Sequence, residues 1–207
     1  MRAPSTAEPR LALAALLALC VTLALGAFVS GRPALPLDVD AAKVRGEAIP
    51  LAVFFTTLGR WPVLLLLGAA ALTLAASLRT GVAAVAVILV AQLLSQGANT
   101  LLKLAFHRAR PDAWLRIREV DFSYPSGHAV TAALFFLGLA LLASQAPLPR
   151  PFVSLLVALL ALCVIGLPWS RLALGAHYLT DVVGGFCFGL AWLCVVAVAL
   201  VRLAARS

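Results

Sequence analysis

Charge is scarce in this chain. Of its 207 residues, 12% are Asp, Glu, Lys or Arg, and only 8 are acidic. An ordinary soluble domain carries about 25%. The shortage excludes a charged disordered chain and an ordinary soluble domain, and the composition is not that of a collagen. Cysteine offers no metal site either. Cys20, Cys163, Cys187 and Cys194 lie inside apolar runs without ligand spacing, so they read as buried free thiols and say nothing about redox compartment. Internal repeats are missing, and the richness in Ala and Leu is what helix packing in lipid needs. What remains is apolar: 63% of the residues, with a mean hydropathy of +1.06.

The placement of the few charges is more telling than their number. Six stretches of 18 residues or more contain none: 11–31, 61–78, 80–102, 122–149, 151–170 and 182–201. A helix needs roughly 20 apolar residues to cross a hydrocarbon core about 30 Å thick. The expectation is a single domain over 1–207, an all-α integral membrane bundle of six transmembrane helices. The spans are expected at 11–30, 61–78, 82–103, 127–145, 152–168 and 177–201. No segment outside the runs is long enough for a separate globular domain. Ala48–Gly59 is apolar but too short to span, and reads as an interfacial helix after the first span or a partial re-entry. Arg2 and Arg10 ahead of an apolar run mimic a secretory leader. The run from Leu11 to Gly31 exceeds a leader's usual core, so it reads as an uncleaved first span. Arg79-Thr80-Gly81 is so short that its flanking spans form an antiparallel hairpin. The proline-rich 146–151 and Pro168-Trp169 read as span ends.

Parity of crossing places 31–60, 104–125 and 169–176 on one face and both termini on the other. The terminal face carries Arg2, Arg10, Arg79, Arg150, Arg202 and Arg206 on very short segments. Their density predicts cytoplasmic termini and a periplasmic or extracellular loop face. The net charge of +8 suits anionic headgroups or phosphate-bearing substrates. The basic residues are scattered rather than gathered in a patch, so the reading is of no nucleic-acid partner.

Three polar clusters fall on the loop face. The first runs from Lys103 through His107, Arg108 and Arg110-Pro111 to Asp112. Pro111 disfavours helix at Arg110, which puts that cation on a stiff extended turn. Arg grips two phosphate oxygens while Lys acts as a point charge, so the pair makes an anion clamp. The bland alternative is a basic flank at the membrane surface. The second is Tyr124-Pro125-Ser126-Gly127-His128. Ser is a favoured helix cap, Gly lets backbone approach a ligand, and His128 moves a proton near neutral pH. The bland alternative is a capped helix with an interfacial histidine. The third holds Ser170, Arg171, His177, Tyr178 and Asp181. A spacing of four puts His177 and Asp181 on one helix face, where the carboxylate fixes the tautomer and frees the other nitrogen as a nucleophile. The alternatives are an ion pair sealing a helix end, or half of a metal site lacking its other ligands. Together the clusters fit phosphoryl transfer, which is mostly positioning and charge stabilisation.

Lys103-x6-Arg110-Pro111, Pro125-Ser126-Gly127-His128 and Ser170-Arg171-x5-His177-x3-Asp181 resemble, in order and in full, the tripartite signature of the type 2 phosphatidic acid phosphatase superfamily. The likeness covers about 50–200. A soluble haloperoxidase branch shares the signature, and the hydropathy here points to the membrane branch. The resemblance implies residue roles. His177 is the nucleophile that forms a phosphohistidine, Asp181 orients it, and His128 is the general acid for the leaving group. Lys103, Arg110 and Arg171 bind phosphoryl oxygens, with hydrogen bonds from Ser126 and the Gly127 N–H. It implies no metal and no other cofactor. His107 and Arg108 lie outside the strict pattern and stay unassigned. The expected activity is hydrolysis of a membrane lipid phosphomonoester or diphosphate in the inner or plasma membrane. Compactness puts undecaprenyl diphosphate first, then phosphatidic acid, phosphatidylglycerol phosphate and lipid A 1-phosphate. Rival readings are a lipid phosphotransferase using the same site, and a non-enzymatic transporter or binding protein.

Overall fold

The computed structural model describes residues 7–112 and 119–205. Arg2 and Arg206, counted above for the terminal face, lie outside the described residues. Within them all regular structure is helical. The order is α1 Ala7–Val29, α2 Pro36–Ala41 with a 3₁₀ turn Ala42–Val44, α3 Ile49–Leu58, α4 Trp61–Ser77 and α5 Val82–Phe106. Then come α6 Gly127–Thr131, a π turn Ala132–Phe136, α7 Leu137–Ala143, α8 Arg150–Ala173 and α9 Leu179–Ala204.

Four helices, α1, α5, α8 and α9, are long and apolar enough to cross a bilayer. The pair α3 and α4 becomes a fifth candidate if its 59° bend is one broken span. The bend falls where Gly59 ends α3 and Pro62 starts α4, a stop signal followed by a start signal. Gly127–Ala143 is apolar but shorter. Residues 122–126 of the corresponding uncharged run form an ordered loop, so less of the run is left for helix than its length suggests. Leu13, Leu16, Leu65, Leu66, Leu101, Phe152 and Ile165 are all more than half exposed. Apolar faces of that extent belong against lipid, which with the helix lengths makes this a membrane protein.

Inside, Ile88, Leu134, Phe135, Phe136 and Leu167 form the main apolar core. Helix α1 packs along α9, α3 on α8, and α5 between α4 and α9. The turn between α4 and α5 is tight, with Arg79 and Gly81 at positive φ, as the hairpin expectation requires. Small residues on α9 let α6 come close. A β-carbon at Gly185 would sit 3.0 Å from the Ser126 nitrogen, and one at Gly189 2.6 Å from the Val130 carbonyl oxygen. That approach lets the Ser126 N–H donate to the Asp181 carbonyl at 3.0 Å, which fixes the start of α6 against the start of α9.

Two expected boundaries are corrected. Pro168 does not end the fifth apolar helix, because α8 continues to Ala173 and carries Ser170 and Arg171 in its last turn. The Ser170 hydroxyl donates to the Leu167 carbonyl at 2.7 Å, and both residues are fully buried, so packing overrides the missing proline N–H. His177 is not on the last helix. Tyr178 caps α9 in an extended conformation, and His177 precedes it in a turn after Gly175 at positive φ.

Candidate active site

Helix α5 presents a polar stripe along one face: Gln92, Ser95, Asn99 and Lys103, all buried and spaced three to four residues apart. The stripe delivers Lys103 to the end of the bundle. The helix then stops, because His107 adopts a left-handed conformation and returns its N–H to the Lys103 carbonyl at 3.0 Å. Arg110 therefore reaches the site from an irregular segment, as Pro111 implies.

Arg110 and Lys103 converge on the segment 119–123. Lys103 Nζ donates to the Phe122 carbonyl at 2.5 Å and pairs with Asp121 Oδ2 at 2.8 Å. Arg110 Nε donates to the Asp121 carbonyl at 2.8 Å, and its Nη2 pairs with Glu119 at 2.9 Å and with the Asp121 carboxylate. Arg171 Nη2 reaches the other Glu119 oxygen at 2.6 Å. Three side chains from α5, the following segment and α8 thus form one cationic nest, covered by two carboxylates. Burial pushes the Asp121 carboxyl up, but the Lys103 hydrogen bond and the Lys103 and Arg110 charges outweigh it and hold the group below its ordinary value.

Arg110 also touches His177. Its Nη1 donates to the Ala176 carbonyl and approaches His177 Nε2, both at 2.9 Å. A guanidinium has no lone pair, so Nε2 must be the acceptor and the ring proton sits on Nδ1. Nδ1 faces Asp181 Oδ2 at 3.5 Å and the Ser123 hydroxyl at 3.4 Å. The expected pairing of His177 with Asp181 is present, although the two do not share a helix face. Asp181 is the third residue of α9 and reaches back, accepting the Tyr178 N–H at 2.8 Å and the Ser123 hydroxyl on the same oxygen. Burial is the largest influence on His177, followed by the charges of Arg110, Arg171, Lys103 and His128, and it sits well below its ordinary value. The imidazole is neutral at pH 7, the state a nucleophile needs.

His128, in the first turn of α6, joins the site through Thr56 of α3. Its Nε2 lies 3.1 Å from the Thr56 carbonyl and 3.2 Å from the Thr56 hydroxyl, and that hydroxyl accepts from Arg171 Nη1 at 2.6 Å. A carbonyl only accepts, so Nε2 carries a proton. Gly59 makes room for the ring: a β-carbon there would stand 2.5 Å from His128 Cδ2. Ser126 is the residue before α6, yet its hydroxyl caps nothing and has no partner, while fully buried. The Gly127 carbonyl accepts from Gln96 at 3.4 Å.

Lys103, Arg110, Arg171, His128, His177 and Asp181 thus form one linked set, with Ser126 tied to Asp181 through its backbone. Sequence reasoning missed Thr56, Glu119, Asp121 and Ser123, which touch that set directly. Ser123 and Asp121 had a signal in their nearness to the second cluster. Thr56 had none, because it lies in an apolar helix far from any cluster. Arg108, left unassigned, is buried beside Asp181, and His107 stacks edge-on against Phe122. Among the described residues, no three His, Cys, Asp or Glu side chains gather as metal ligands would.

Comparisons with known proteins bear on the family and the fold. A family model described as the PAP2 superfamily matches residues 80–204. Phosphatidylglycerophosphatase B of Bacillus subtilis (strain 168) is 34% identical over 93 residues, 44% of this chain and 46% of that protein. A lipid A 1-phosphatase of Rhizobium johnstonii is 38% identical over 102 residues, 44% of this chain and 37% of that protein. The match spans less than half the length of either relative. The crystal structure of a transmembrane PAP2-type phosphatidylglycerolphosphate phosphatase from Bacillus subtilis superposes with a TM-score of 0.66. It is 23% identical, covers 96% of both chains, and has the same fold.

Proposed function

The chain belongs to the PAP2 superfamily, and from that premise we propose that it is an integral membrane lipid phosphatase working through a phosphohistidine. The observation that carries the proposal is His177. Its Nε2 lone pair lies 2.9 Å from Arg110, within a nest of three cations, and a carboxylate faces its other nitrogen. In the first step the Nε2 lone pair forms a bond to phosphorus as the bond from phosphorus to the lipid oxygen breaks. The departing oxygen keeps the electron pair and takes a proton from His128, which enters the step as the imidazolium and leaves it as the neutral ring. In the second step water attacks phosphorus, the N–P bond breaks, its electrons return to His177, and His128 accepts the water's proton. Lys103, Arg110 and Arg171 stabilise the phosphoryl oxygens throughout. The Ser126 hydroxyl and the Gly127 N–H are assigned further hydrogen bonds to them.

The substrate keeps its tail in the bilayer while its headgroup enters the nest. Gly127–Ala143 and α4 complete a six-span bundle, with α3 lying at the interface ahead of α4, cytoplasmic termini and the site on the periplasmic or extracellular side. Compactness puts undecaprenyl diphosphate first. The relatives are named for phosphatidylglycerophosphate and lipid A 1-phosphate, and these with phosphatidic acid complete the panel.

The test is phosphate release from those four lipids by the purified chain in liposomes. At least one lipid is expected to turn over, and His177→Ala is expected to lower the rate about a thousandfold or more. A folded His177→Ala protein that works at the parent rate would overturn the nucleophile. Phosphate moved to a second lipid, with none released, would replace hydrolysis by transfer.

A further inference from the structure

The mechanism leaves one deeply buried cation unused. The Arg108 side chain is 1% exposed. Its Nη1 donates to Asp181 Oδ1 at 2.5 Å and to the Thr180 hydroxyl at 2.6 Å, and its Nη2 donates to Asp38 Oδ2 at 2.8 Å. Its guanidinium carbon lies 4.3 Å from the centre of the Tyr178 ring. Asp38 comes from α2, ahead of the residues matched by the family model, and its side chain is fully buried. It also accepts the Thr180 N–H at 2.9 Å and the Leu35 N–H at 3.1 Å. Burial pushes the Asp38 carboxyl up, but those two N–H donors and Arg108 outweigh it and keep it ionised.

Charge accounting explains why a second carboxylate is there. A lone Arg108–Asp181 pair would be neutral and would give an attacking histidine no net support. With Asp38 taking up the Arg108 charge, the trio carries one net negative charge. Its unshared oxygen is Asp181 Oδ2, which faces Ser123, the Tyr178 N–H and His177 Nδ1. The charges that push His177 down are Arg110 from the segment after α5, Arg171 from α8 and Lys103 from α5, with the titratable His128 from α6, while Glu119 and Asp121 of the segment 119–123 pair with Arg110 and Arg171 in the same nest. Attack on phosphorus makes the His177 ring cationic, and the spare negative charge stabilises that state.

We propose that Asp38 and Arg108 are a positioning pair that aims Asp181 at His177 and reserves its charge for the phosphorylated ring. The proposal rests on the phosphohistidine reading above, and its test separates the two. The primary readout is the His177 imidazole titration by ¹⁵N NMR on the full chain in detergent, which needs no turnover. Asp38→Asn keeps the shape and removes a negative charge, so the His177 pKa is expected to fall. Arg108→Gln removes a positive charge, so it is expected to rise. Each shift is on the order of one pH unit, the reach of a unit charge at an effective dielectric of about 20. The double variant restores the net charge and is expected to return close to the parent. A merely structural pair would not give opposite shifts that cancel.

In the phosphate-release assay Asp38→Asn is expected to lower kcat about ten- to a hundredfold, the range found for outer partners of ligating histidines, with KM within about twofold. His177 titrations that coincide in all variants would overturn the pairing, whatever the activity. Opposite shifts in a chain that turns over none of the four lipids would uphold the pairing and overturn the phosphatase reading. If Asp38→Asn fails to fold, Arg108→Gln and the double variant carry the same test through the upward shift and its reversal.

Discussion

At the residue scale, the orientation of His177 follows from what its neighbours can donate. Arg110 has only N–H groups to offer Nε2, and Asp181 has only lone pairs to offer Nδ1. Both constraints leave Nε2 as the free base in the cationic nest. Burial and the surrounding cations lower the His177 pKa, and the sign of the pH effect follows. In the proposed mechanism the reactive form is unprotonated, so it predominates at every pH above that lowered value. The acid limb of kcat/KM is expected below 6.5, the ordinary imidazole value, after correction for the substrate phosphate's own titration near pH 6. A limb above 6.5 would mean that His177 is stabilised as a cation in the free enzyme. The residues that form the nest were legible because each belongs to a short local pattern. Asp38 and Thr56 were not. Their partners lie 142 and 72 positions away, at Thr180 and His128. Only the packing of α2 against α9 and the close approach of Gly59 to His128 bring them in.

At the scale of elements, the segment 119–123 is the least helical part of the site and the most densely bonded. It supplies Glu119 and Asp121 to three cations, the Phe122 carbonyl to Lys103 and the Ser123 hydroxyl to Asp181. The two carboxylates occupy the donors proposed to bind the phosphoryl group, and under that proposal an anionic substrate displaces them. Glu119→Gln with Asp121→Asn is expected to lower KM for a lipid phosphate about three- to tenfold. The gain is modest because the two side chains are 37% and 51% exposed, and water already screens them. Saturation curves on the preferred lipid decide the matter, since a higher KM would show that the carboxylates hold the cations in place. Helices were readable as uncharged runs, and their ends less so. Pro168 looked like a terminus but lies within α8, where buried Leu167 and Ser170 hold the next turn. His177 looked like the first turn of the last helix but lies ahead of it, because Asp181 turns back to cap the Tyr178 N–H.

On the scale of the whole molecule, the loops after α1, α5 and α8 supply Asp38, Arg108 and Arg110, and His177 to one connected set of contacts. Those loops therefore meet at one end of the bundle, as alternating crossings require. The weak point of a six-span count is Gly127–Ala143, which reaches about 26 Å at 1.5 Å per residue, short of a core of about 30 Å. It is also where the backbone changes pitch, through the π turn Ala132–Phe136, whose residues are all buried. Nothing in an uncharged run of ample length betrays that turn, which is why the run read as an ordinary span. Crossing parity makes the question decidable. If Gly127–Ala143 crosses, five spans separate residue 40 from Ser207, and reporters fused at the two positions report from opposite compartments. If it only dips into the bilayer, four spans separate them and the reporters agree. The expected result is a cytoplasmic signal at Ser207 and none at 40. Agreement between the reporters would reduce the bundle to five spans, and a cytoplasmic signal at 40 alone would place the phosphate nest inside the cell.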